Sequence, residues 1–166
     1  MATKPIVDVG QGFLLCEVIK LSYDMDGAAG AAGTYTGTVK IPAYAIIHDI
    51  QVHAVALWNA GTSAALDVGD DDDADGFFDA VNLKATDLTA GQSLSFAQPG
   101  GKEGAYVTSP AAGAHVTNRL SSSDRTITAT VTTVGTAATT GETWISVAYA
   151  LNPASVDQKL RGSYSA

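Results

Sequence analysis

Asp71, Asp73, Asp75 and Gly76 spell D-x-D-x-D-G, the first half of a calcium-binding loop. Alternate carboxylates can converge on one hard cation, and the glycine permits a sharp turn between ligands. In that register Phe77 would offer its backbone carbonyl, Asp79 would take the ninth position and Asn82 the twelfth. The bidentate glutamate that closes such a site is absent, and no helical pattern flanks the loop. The competing reading is an acidic turn, with Asp75-Gly76 as turn residues and the carboxylates in water. Asp71, Asp73, Asp75 and Asp79 are thus the candidate ligands for calcium, which would order the loop or join subunits. Nothing else in the chain asks for a cofactor.

The other reactive side chains form no recognisable machinery. His48, His53 and His115 are the only imidazoles, and no H-x-H pair with a following glutamate occurs. No G-x-S-x-G elbow and no glycine-rich phosphate loop appears, so no catalytic residue is assigned and an enzyme is not expected. Cys16, the single cysteine, lies in the apolar run Phe13-Leu14-Leu15-Cys16 and reads as a buried structural thiol. Trp58 and Trp144 could stack on sugars. The alternation of their segments places Trp58 on an apolar face and Trp144 on the face opposite Ile145, Val147 and Tyr149. Trp144 is therefore the candidate interface residue, since tryptophan is enriched at contact hot spots.

The acidic segment also explains the charge. Asp67 to Asp79 holds seven of the seventeen acidic residues, and without it ten acids face nine bases. The formal charge of -8 is a local property of one loop on a nearly neutral body. Charged residues make up only 16% of the chain, a depletion shared with the cores of protein interfaces, which points to an oligomer or larger array. Few and scattered basic residues argue against nucleic-acid binding. No apolar run is long enough for a signal peptide or a membrane span, so a soluble protein made in a cytoplasm is expected.

The elements that must carry these residues are strands, because period-two alternation dominates. Ile50, Val52, Ala54, Ala56 and Trp58 are apolar while Asp49, Gln51 and His53 are polar. Ile127, Ala129 and Val131 alternate with threonines, and Ile145, Val147, Tyr149 and Leu151 alternate with Trp144, Ser146 and Ala148. The connection GTAATTGE has hairpin length, which predicts an antiparallel pair over 125–134 and 142–151. Further strands are expected over 13–21, 35–41, 64–68, 93–97 and 115–121, a long exposed loop over 26–37, and a short helical turn over 79–88. Seven or eight short strands predict an all-β antiparallel sandwich or small barrel. A single domain over 13–151 would be flanked by an N-terminal arm, 1–12, and a C-terminal arm, 152–166. Such arms fray unless a neighbour holds them.

Three stretches carry a family resemblance: Val55 to Gly61 with its Trp-Asn-Ala-Gly turn, ALDVGDDDDADGFFDAVNLKATDL from Ala65 to Leu88, and ITATVTTVGTAATTGETWISVAYA. Over roughly 45–151 the chain resembles the small all-β decoration, or cement, proteins of tailed-bacteriophage capsids. The resemblance implies a jelly-roll-like fold and a structural role on the virion, with many copies bound to the outer capsid lattice through the major capsid protein. It implies no catalysis and no cofactor. A homo-oligomer, dimer or trimer, fits the charge-poor surface. Another phage head or tail component (fibre base, adapter or tube), or a carbohydrate or host-surface binding module, is the alternative.

Overall fold

A computed structural model describes residues 14–25, 32–108 and 115–151. The N-terminal and C-terminal arms lie outside the described residues, as do residues 26–31 of the loop expected over 26–37, whose last four residues instead belong to a strand. Eight strands are described: β1 Leu14–Ser22, β2 Thr34–Ile41, β3 Ile46–Ala56, β4 Ser63–Gly69, β5 Phe78–Asn82, β6 Ser93–Leu94, β7 Arg125–Val134 and β8 Glu142–Ala150. They form two four-stranded antiparallel sheets, ordered β1-β8-β3-β6 and β2-β7-β4-β5. Strands pair as 1 with 8, 2 with 7, 3 with 6 and 4 with 5, the order obtained by winding one long double ribbon into a sandwich. The all-β antiparallel sandwich is as the sequence predicts, and this pairing order is consistent with the jelly-roll-like fold that the resemblance implies.

Alternation sets the core. Ile127, Ala129 and Val131 of β7 and Ile145, Val147 and Tyr149 of β8 are buried, with Ile50, Val52 and Ala54 of β3 in the same cluster. Burying each large aliphatic contributes about 1.5–3 kcal/mol, so the inward phase of each strand is strongly fixed.

Several expectations are corrected. β7 and β8 are not a hairpin: β7 pairs with β2 and β4, and β8 with β1 and β3. Alternation fixes which face is buried but not which strand lies alongside. Residues 135–141 cross from one sheet to the other, fastened by Asn59, whose side-chain oxygen accepts from the Thr139 and Thr140 amides at 2.8 and 3.1 Å. Trp58 packs beneath this crossing. Its indole donates to Thr143 Oγ1 at 3.0 Å, its ring meets Tyr35 edge-on at 4.7 Å, and a Cβ at Gly141 would stand 2.4 Å from Trp58 Cδ2.

The helical turn expected over 79–88 is instead strand β5 followed by a turn, in which Asn82 Oδ1 accepts from the Lys84 amide at 2.8 Å. Phe78 and Val81, buried on β5, leave that segment only a sheet to complete. Residues 115–121 hold isolated bridges to Val107 and Ile46, and β6 is only two residues long. Cys16 is exposed, because β1 turns it to the outer face of its sheet.

Candidate functional site: an anchored acidic loop and an open apolar face

The acidic stretch forms the connection between β4 and β5. Asp70, counted among the acids but not among the proposed ligands, is its anchor and is 7% exposed. Its Oδ1 accepts from the amides of Asp72 and Asp73 at 3.1 and 3.2 Å and from the Tyr106 hydroxyl at 3.0 Å. Its Oδ2 accepts from Asn118 Nδ2 at 2.6 Å and lies 3.6 Å from Arg125 Nη1. Arg125 is itself buried at the start of β7 and also donates to the carbonyls of Asn118 and Arg119. Burial lowers the pKa of Arg125 while Asp70 opposes the shift. Tyr106 is pushed up to about 12, by burial first and then by its hydrogen bond to Asp70.

The residues proposed as calcium ligands are spread around this anchor. Asp71 Oδ2 accepts from the Thr126 amide at 2.9 Å. Asp73 and Asp75 approach each other, and the hydrogen bond between their side chains is the main cause of a raised Asp73 pKa. Asp79 is exposed on β5. The Phe77 carbonyl is occupied by the Gly104 amide at 3.2 Å. Among the described residues no three His, Cys, Asp or Glu side chains gather closely enough to hold an ion. Gly76 serves close approach: a Cβ there would stand 2.3 Å from the Tyr106 ring, which packs edge-on against Phe77 at 5.1 Å.

Arg125 could have been found from the sequence. The inward phase of Ile127, Ala129 and Val131 also points Arg125 inward, and a buried guanidinium requires an acid partner. Which of the seven loop aspartates supplies it is decided by the crossing of residues 106 and 118, which alternation does not encode.

Trp144 stands on the outer face of the first sheet, 41% exposed, with its indole nitrogen donating to Glu142 Oε1 at 2.7 Å. In register beside it lie Lys20 and His53. At the far end of that face Leu14, Ala150 and Ile46 form a row across three strands, and Leu120 bridges Ile46. Leu14, Leu120 and Ile46 are 64%, 54% and 38% exposed, and Val18, two residues along β1 from Cys16, is 55% exposed. β1 is an edge strand whose residues from Leu14 to Val18 are all exposed. Contiguous apolar surface of this kind marks an interaction site in soluble proteins.

The described residues form a two-sheet antiparallel sandwich with an exposed apolar sheet surface. No family model matches the chain, and no curated protein matches its sequence. Among solved structures it is similar to a chain of the cyanophage Pam1 capsid asymmetric unit, with a TM-score of 0.56, 15% identity, and coverage of 92% of this chain and 94% of that one. Fainter likenesses are to a chain of the Ralstonia phage GP4 capsid (TM-score 0.46, 17% identity, 91% and 92% covered) and one of the acid-stable capsid of Helicobacter pylori bacteriophage KHP30 (0.44, 14%, 82% and 94%). The first likeness shows a shared fold.

Proposed function

We propose that this chain is a structural virion protein of a tailed phage that binds the outside of the shell in many copies and bridges neighbouring capsid subunits. The observation that carries the reading is the exposed row Leu14, Ile46 and Leu120 with Val18, at the end of an open edge strand. The fold shared with a chain of the Pam1 capsid asymmetric unit supports it. Covering this face with a shell subunit, the major capsid protein, removes apolar area from water. Many copies then multiply a modest local gain into a large stabilisation of the shell. The arms, residues 1–12 and 152–166, would extend the contact to neighbours and to further copies of this chain, as extended segments do in strand addition. Trp144, six residues along β8 from Ala150 and so about 20 Å away, stands at the margin of this contact. In this reading the acidic connection works as a turn held by Asp70, and neither calcium nor a catalytic step is required.

The test is rebinding of the purified chain to shells that lack it, read by sedimentation. Leu14→Asp and Leu120→Asp should each weaken binding about tenfold or more, since a charge at the centre of a desolvated contact is costly. Trp144→Ala should change it less than about threefold, as truncation at a solvated rim does. Binding should be unchanged in chelator. Full-strength binding by both aspartate variants would remove this face from the account, and loss of binding in chelator would restore an ion to the loop.

A further inference from the structure

At the end of β1 and β8 away from Leu14, an open groove of about 510 Å³ lies beside Trp144, lined in part by Lys20, Ser22, Tyr23, Asp24, Ala56 and Glu142. Two aromatic rings border this region, Tyr23 at 36% exposure within the groove and Trp144 at 41% next to it. The Trp144 indole nitrogen is already committed to Glu142, so what the ring still offers is its apolar face. Lys20 Nζ holds the same Glu142 Oε1 at 3.1 Å, and the Ser22 hydroxyl donates to Asp24 Oδ1. Glu142, Lys20 and Trp144 are thereby fixed relative to one another before any ligand arrives, which reduces the ordering cost of binding.

We infer that this groove binds a neutral glycan, with sugar rings resting on Tyr23 and Trp144 and hydroxyls bonded to Glu142, Asp24 and Lys20. Saccharides present a C–H face and a ring of hydroxyls, and the groove offers apolar ring faces next to fixed charged acceptors and an ammonium donor. The local charge selects among polar ligands: two carboxylates face one ammonium, which disfavours sulfated or uronic-acid chains and phosphate-bearing polymers. Hydrogen bonds from Lys20 first and Trp144 second keep the Glu142 pKa below its ordinary value, so Glu142 meets a ligand as a charged acceptor. The inference does not depend on the shell reading, because the groove lies at the opposite end of the face and binding is measured on the isolated chain.

Trp58 is buried and Trp144 exposed, and they are the only two tryptophans, so a change in tryptophan fluorescence on adding a surface ligand reports on Trp144. The purified chain would be titrated with dextran, chitooligosaccharides and galactan as neutral probes and with heparin as the acidic one. A saturable change with at least one neutral probe, at a Kd of about 1 mM or tighter, is expected. Tyr23→Ala, and Trp144→Ala followed by calorimetry, should each weaken that binding about tenfold or more while leaving the melting curve in place. Absence of saturation with every neutral probe, equal binding by both variants, or a preference for heparin would each overturn the inference.

Discussion

Asp70→Ala is expected to lower the free energy of unfolding by about 3–5 kcal/mol, the range found when one partner of a buried ion pair is removed. Asp70 is 7% exposed, is the shared acceptor for two loop amides, the Tyr106 hydroxyl and the Asn118 amide, and pairs with the Arg125 guanidinium at 3.6 Å. Truncating it leaves Arg125 buried without its counter-ion and those donors without their acceptor, and each unsatisfied buried donor carries its own desolvation cost. The loss is not local to the loop. Arg125 opens β7, the strand that pairs with both β2 and β4, and its guanidinium also holds the carbonyls of Asn118 and Arg119. Asp70→Asn keeps the shape and part of the hydrogen bonding but not the charge. Urea denaturation of both variants separates the terms: a cost in Asp70→Asn close to that of Asp70→Ala assigns the effect to the ion pair, and a much smaller one assigns it to the hydrogen bonds. Less than about 1 kcal/mol in Asp70→Ala would contradict the anchoring role, since a solvated surface pair is worth no more than that.

Trp58→Ala should cost a similar amount, about 3–5 kcal/mol, by opening a cavity where the chain passes from one sheet to the other. The indole is 2% exposed, donates to Thr143, and fills the space between Tyr35 and the backbone of Gly141. Native domains are stable by only about 5–15 kcal/mol, so either variant removes a large share of the whole. The close approach of Gly141 supplies a companion experiment. A Cβ there meets the indole at 2.4 Å, and the φ of 150° adds strain, so Gly141→Ala should also destabilise. In the Trp58→Ala background the Gly141→Ala cost should shrink, because the atom it meets is gone. Purely additive costs in the double mutant would show that the two residues do not share this space.

Much of the fold was legible because alternation is a direct record of burial. The inward sets of β3, β7 and β8 were read residue by residue, and so was the placement of Trp58 in the core and Trp144 outside it. The sequence was silent on strand partnership, which is why the GTAATTGE connection read as a hairpin although it bridges two sheets. β5 was hidden by its brevity and by a following turn whose Lys84, Ala85 and Leu88 also suit a helix. The acidic loop was visible as chemistry, but the spacing of Asp71, Asp73 and Asp75 drew notice to the outer carboxylates. The residue that organises the loop, Asp70, is identified by its reach to Tyr106, Asn118 and Arg125, contacts 36 to 55 residues away in the chain. Cys16 read as core because it lies in an apolar run. A sheet surface meant for a partner has the same composition as one meant for the interior, so composition alone could not separate the two.

The proposed role has this chain covering a viral shell in many copies. Quantitative mass spectrometry of purified virions, giving the number of copies of this chain per copy of the major capsid protein, tests it most directly. A fixed, small-integer ratio set by the lattice is expected. Absence from virions would contradict it, as would a trace amount unrelated to the shell subunit.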